Sequence, residues 1–220
     1  MIERYFQTIV DDLSKSINQF LQMRPCMLIG IDGCGGSGKT TLASELLNAL
    51  NNVQIVHMDD FYLPSDKRMS MADPKSVGWQ FDWKRMEREV LKPIDSGQLI
   101  RYQQYDWQKD HLAEWREFQP LGVIIVEGIF TLRKELSKYY HTRLWVDCPR
   151  EERLRRGLMR DGEEARLQWE HDWMMEEDRY ITEHVPQLSA DKIISGMPSQ
   201  PGRPRDGTQP GNCFWRKCCL

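Results

Sequence analysis

Apolar residues recur at three- and four-residue steps from Ile2 through Phe6, Ile9, Val10, Leu13 and Ile17 to Phe20 and Leu21, the pattern of an amphipathic helix with one buried face. Past Pro25 the period changes. Met27 to Ile31 is a short apolar run, followed by glycines and then by TTLASELLNAL at helical spacing, which predicts strand, loop and helix in that order. Similar runs recur at Val53 to Met58, Val123 to Val126, Leu144 to Val146 and Lys192 to Ile194, with room for helices between them. Near-continuous apolar strands alternating with helices predict an α/β domain whose parallel sheet is covered on both faces. Right-handed crossovers then bring the carboxyl end of every strand to one edge, so ligand chemistry is expected just after each apolar run.

Residues from about 63 to 120 are rich in Trp, Asp, Lys and Gln and only weakly periodic, which predicts surface hairpins and a helix around Trp83 to Leu91, long enough together for a substrate-binding flap. Beyond Gly196 the chain is dense in Pro and Gly. Residues 197–220 are therefore expected to be a disordered tail outside a single domain spanning 1–196. Within that domain 1–24 forms the N-terminal helix, and about 150–175 forms a lid region. There is no internal repeat.

Composition narrows the function classes. At 220 residues, 40% hydrophobic and 29% charged, the chain has the profile of one soluble globular domain. A net charge of −3, from 30 basic and 33 acidic residues, is too balanced for a protein that coats itself in nucleic acid or an anionic membrane. No apolar run approaches the roughly 20 residues of a membrane-spanning helix, and the first residues carry acids where a signal peptide needs a basic region. The expectation is a cytoplasmic protein with a small-molecule substrate and neither a nucleic-acid nor a membrane partner; homo-oligomerisation stays open. Six cysteines without a CxxC pair, half of them in the last eight residues, form neither a disulfide framework nor a zinc site.

The chemistry begins at Gly33-Cys34-Gly35-Gly36-Ser37-Gly38-Lys39-Thr40, a full match to GxxxxGK[ST] lying between a predicted strand and a predicted helix. Glycines let backbone N–H groups turn inward around phosphates, and the helix starting near Lys39 aims its positive end at them. Lys39 would reach the β- and γ-phosphates and the Thr40 hydroxyl would hold Mg²⁺, so the nucleotide-binding set is Gly33, Gly35, Gly36, Ser37, Gly38, Lys39, Thr40 and Thr41. Such a loop says nucleoside triphosphate, and not what is done with it. No NKxD tetrapeptide and no LSGGQ-type signature occurs, which weakens the switch-GTPase and transporter readings.

Two acids stand where strands end. Val53 to Met58 runs into Asp59-Asp60-Phe61-Tyr62, and a phosphoryl transfer needs a carboxylate to take the acceptor hydroxyl's proton, a role assigned to Asp59. Val123 to Val126 ends in Glu127-Gly128, with Glu127 positioned to steady Mg²⁺ or its water shell. Further on, Arg153, Arg156 and Arg160 share one face of a predicted helix, suited to a lid that neutralises charge on a transferring phosphoryl group. Ion pairs with Glu151, Glu152, Glu163 and Glu164 are the competing account of that face.

Taken in order, IDGCGGSGKTTLA, HMDDFYLP, WQFD, VIIVEGIF, RLWVDCPREERLRRGLMRD and ADKIISG resemble the uridine kinase and phosphoribulokinase family of P-loop kinases, from about residue 25 to 196. The resemblance implies a P-loop NTPase fold, a three-layer α/β/α sandwich around a mainly five-stranded parallel sheet with a substrate flap. It also implies transfer of the ATP γ-phosphate to a small-molecule hydroxyl, which in uridine kinases is the 5′-OH of uridine or cytidine. It carries the base role to Asp59, a substrate wall to Tyr62, contact with ribose hydroxyls to Asp82, the strand-end acid to Glu127, and closure over the phosphates to Arg156 and Arg160. Tyr105 of the YDF-type motif, His111 and Arg166 complete the implied substrate set. The chain departs from the family at Gly157, where a second arginine is frequent, and at Asp110, where a histidine is expected and His111 lies one position away. Trp79, Trp83 and Trp107, three of the eight tryptophans, lie in the flap where a base could rest or where rings could simply pack.

The resulting expectation is an ATP- and Mg²⁺-dependent kinase of a nucleoside such as uridine or cytidine. Two alternatives remain. One is a kinase for a nucleotide, vitamin precursor or sugar phosphate, for which Lys67, Arg68, Lys75, Lys84 and Arg85 are available cations; the other is a regulatory ATP-binding protein that transfers nothing.

Overall fold

The computed structural model describes residues 6–70 and 76–197. The start of the expected N-terminal helix, Lys75 and the expected tail from 198 onward lie outside these residues. Helix α1 (Gln7–Leu21) leads into β1 (Cys26–Asp32), α2 (Lys39–Ala49) and β2 (Val53–His57). The flap region holds α3 (Ser65–Met69), then α4 (Trp83–Met86) running through a π turn at Glu87–Leu91 into α5 (Lys92–Asp95), and the strands β3 (Ile100–Asp106) and β4 (His111–Phe118). There follow β5 (Gly122–Glu127), β6 (Thr142–Asp147), α6 (Arg150–Asp161), α7 (Arg166–Gln168), a π turn at Trp169–Trp173, α8 (Met174–His184), α9 (Pro186–Ser189) and β7 (Lys192–Ser195).

The five predicted apolar runs form one parallel sheet in the order β2-β5-β1-β6-β7, and β3 and β4 pair as a separate antiparallel hairpin. Alternation within the strands divides the core into two layers. Met27, Ile29, Ile31, Val123 and Ile125 face α1 and α2. Leu28, Ile124 and Val126 face the opposite way, onto Met86, Val90 and Leu91 of the flap helix and Tyr180 of α8. The result is a three-layer α/β/α sandwich.

The region about 63–120 holds a helix from Trp83 followed by a hairpin. The hairpin is also tied to the sheet, because Arg116 Nη1 donates to the Ile55 carbonyl on the β2 edge at 2.9 Å. That bond occupies part of an edge otherwise open to pairing. Just beyond β4, Gly122 opens β5 with φ +74°, and a Cβ added there would lie 2.3 Å from the Asn52 carbonyl oxygen. Gly122→Ala is expected to destabilise the fold by about 1–3 kcal/mol. The check is a lower urea midpoint at unchanged slope, and an unchanged midpoint would contradict the crowding at this turn.

Candidate active site

The phosphate loop leaves β1 at Gly33 and enters α2 at Lys39. Gly36 and Gly38 have φ of +73° and +105°, and at Gly36 an added Cβ would meet the Arg153 carbonyl oxygen at 2.6 Å. Only glycine allows both the turn and the close approach. Lys39 Nζ lies over the loop, hydrogen-bonded to the Cys34 carbonyl at 2.9 Å. Behind the loop the fully buried Asp32 accepts hydrogen bonds from the Gly33 and Leu132 N–H groups and from the Tyr180 hydroxyl.

A cleft of about 1300 Å³ opens from this loop across the carboxyl edge of the sheet. Lys39, Thr40 and Thr41 line it on one side, Asp59 and Glu127 lie at its floor, and Arg156 and Arg160 line it from α6. The parallel register sets His57 beside Glu127, and the two side chains are bonded, Nδ1 to Oε1, at 2.6 Å. That bond raises the His57 pKa more than any other influence. The Thr40 hydroxyl reaches both Glu127 oxygens, at 3.3 and 3.5 Å. Asp59 opens into the cleft beside Glu127 and Lys39. The surrounding burial pushes its carboxyl above the ordinary value, Glu127 adds to the rise, and Lys39 and His57 oppose it. Asp60, its neighbour, turns inward to Tyr102 and Gln104 instead.

The far wall is aromatic. Tyr62, Trp79, Phe81, Trp107 and Phe130 line it, and the Tyr62 and Trp107 rings stand 4.6 Å apart. Trp83 is not in this wall; its ring lies under the Arg133 guanidinium at 4.5 Å.

Several residues expected at the substrate lie elsewhere. Asp82 does not line the cleft, and its Oδ1 caps α4 by accepting the Arg85 N–H at 2.9 Å. Tyr105 stands behind Tyr62 and Trp107, with its hydroxyl on Asp110 Oδ1 at 2.5 Å. His111 is exposed on β4 opposite Asp106 and does not line the cleft, since one position of displacement in a strand turns a side chain to the other face. Arg166 faces a groove on the outer side of the lid, held by Glu163 and Glu170. Of the three arginines sharing a helix face, Arg153 is buried in an ion pair with Glu177, Arg156 bonds the Gly36 and Gly196 carbonyls, and only Arg160 projects, paired with Asp161.

Among the cleft residues that sequence reasoning missed are Glu177 and Trp169. Glu177 takes the Gly35 N–H at 2.6 Å, and Trp169 is wedged between the phosphate loop and α6. The signal for the second was Gly157, because a Cβ there would lie 2.4 Å from the Trp169 ring. Indole has taken the space beside α6 that a side chain at 157 would need. Gly157→Arg is therefore expected to lower the urea midpoint by an overpacking cost of about 1–3 kcal/mol, partly recovered when Trp169→Ala is added. A Gly157→Arg protein as stable as the unaltered one would refute the wedge.

Comparison with known proteins agrees with this geometry. Residues 28–195 match the model of the phosphoribulokinase/uridine kinase family. A uridine kinase of Staphylococcus aureus (strain JH9) is 30% identical over 149 residues, covering 64% of this chain and 72% of that protein. Among solved structures, a Bacillus stearothermophilus protein described as a possible uridine kinase superposes with TM-score 0.66 at 23% identity, covering 86% of this chain and 98% of the other. The D-glycerate 3-kinase of Cryptococcus neoformans does so with TM-score 0.58 at 14% identity, covering 88% and 98%. These two share the fold. With residues 28–195 matched by the family model, the chain is a P-loop kinase that belongs to the phosphoribulokinase/uridine kinase family.

Proposed function

We propose that this kinase transfers the γ-phosphate of ATP to the 5′-hydroxyl of a nucleoside, with a pyrimidine nucleoside such as uridine or cytidine preferred. The observation that carries the reading is the composition of the one cleft: triphosphate-binding groups and an open carboxylate at one end, aromatic rings at the other. None of the flap cations Lys67, Arg68, Lys84 and Arg85 lines it. Arg85 is buried against the Asp60 and Gln103 carbonyls, and Arg68 lies over the Tyr62 ring at 4.6 Å. A wall of rings without these cations suits a flat, neutral base better than a sugar phosphate.

The donor set supports the cofactor. A triphosphate would be held by the loop amides and Lys39, and Mg²⁺ by the Thr40 hydroxyl with Glu127 steadying it, the sparse protein ligation usual for this ion. Bound there, the ion would neutralise charge on the phosphate oxygens. Among the described residues no group of three His, Cys, Asp or Glu could hold a metal by protein alone, so phosphate oxygens would have to complete the shell.

In the transfer, Asp59 accepts the proton of the acceptor hydroxyl as its oxygen bonds the γ-phosphorus, the bond to the β–γ bridging oxygen breaks, and ADP leaves. Arg160, with Arg156 behind it, meets the charge that develops on the moving phosphoryl group. We propose with it a single kinase domain over 1–196, with the substrate flap at about 63–120 and the lid region at about 150–175.

Measuring ADP release with ATP, Mg²⁺ and a panel of uridine, cytidine, purine nucleosides, ribose 5-phosphate and glycerate tests the acceptor. Uridine or cytidine is expected to give the highest kcat/KM; a charged acceptor in first place overturns the nucleoside assignment. Asp59→Asn is expected to lower kcat by about 10²–10⁴-fold with ATP affinity nearly retained. Because the carboxyl must be ionised to act and its pKa is raised, kcat/KM should fall on acidification at a pH above the ordinary carboxylate range. That limb should vanish from the residual activity of the Asn variant, and undiminished turnover would remove Asp59 from the base role.

A further inference from the structure

Glu176, Glu177 and Tyr180 of helix α8 make contacts that the phosphoryl transfer does not use. Glu176 Oε1 accepts the N–H of Gly78, in the flap, at 2.7 Å. The next residue, Glu177, turns about 100° around the helix and accepts the Gly35 N–H of the phosphate loop, while its other oxygen pairs with Arg153 of α6. Three residues further along the same face, the Tyr180 hydroxyl donates to Asp32 at 2.6 Å, and Asp32 holds the Gly33 N–H at 2.6 Å. Glu177, Arg153, Asp32 and Tyr180 are all buried. Buried charged and polar groups are costly to leave without partners, so these bonds move together or not at all. Alternate amides of the loop, Gly33 and Gly35, are thus held by acids attached to or contacted by α8.

We infer that α8 is a strut coupling the acceptor flap to the phosphate loop, with Glu176 and Glu177 as positioning residues. Nucleotide that stiffens the loop stiffens α8 through Glu177 and Tyr180, and α8 then restrains the flap through the Gly78 hydrogen bond. By linkage, an acceptor that orders the flap favours nucleotide to the same degree. Adjacent residues on one helix serve the two ends of the cleft, which gives the coupling a short physical path. The inference rests on the nucleotide site proposed above and is independent of which acceptor is used.

Hydrogen–deuterium exchange of the full chain, with and without AMP-PNP and Mg²⁺, tests it without an acceptor. In the unaltered protein the nucleotide is expected to slow exchange in residues 33–40 and also, by about fivefold or more, in residues 76–82. Glu176→Ala should keep the first effect and lose the second. Glu176→Gln keeps an oxygen for the Gly78 N–H while removing the charge that pairs with Arg179, and should retain both. A merely structural role would raise flap exchange equally with and without nucleotide and leave the ratio unchanged. Flap protection that survives Glu176→Ala, or that is absent from the unaltered protein while the loop is protected, overturns the strut. Absence of loop protection in the unaltered protein is a separate failure: it removes the nucleotide site, and the strut with it.

Discussion

A single desolvated acid fixes where the phosphate loop begins. Asp32 ends β1 without solvent contact, and burial pushes its pKa up to about 6 even though three hydrogen-bond donors and nearby Lys39 favour its charge. A carboxyl in that position needs partners, and it finds them in the first amide of the loop, in the segment after β5 and in α8. Those three stretches are remote along the chain, and Asp32 bonds all of them at once. The direction in which the loop leaves the sheet, and so the position of Lys39 relative to Asp59, depends on this junction.

Around it the sheet brings together what the reaction needs. β1 supplies the loop, Asp59 follows just past the end of β2 and Glu127 ends β5, with β5 lying between the other two. Two acids and one ammonium near each other would repel or collapse without further control. Here His57 and Thr40 engage Glu127, the Cys34 carbonyl engages Lys39, and Asp59 keeps an open face toward the cleft. The carboxylate with the fewest restraints is the one assigned to move a proton.

Much of this was legible in the residues, because strands, the glycine loop and strand-end acids follow local rules: a period of two, positive φ at Gly36 and Gly38, and convergence of parallel strand ends. What could not be read was tertiary competition for side chains. Asp82 has a motif position but spends its oxygen on a helix end, and Asp110 draws Tyr105 back behind the wall. The helical spacing of Arg153, Arg156 and Arg160 was correct as geometry, yet nothing within that helix announces Glu177, 24 residues later, as the partner of the first. Trp169 likewise declares itself only through the glycine it requires.

That last pairing binds the history of two positions. A bulkier residue at 157 collides with the indole, and a smaller one at 169 leaves a void beside the phosphate loop, so either change alone passes through a poorer protein. A longer side chain at 157 is accommodated best when the ring at 169 is given up with it. Sites 157 and 169 are therefore expected to vary as one character rather than two, a mutational ratchet set by the thickness of an aromatic ring.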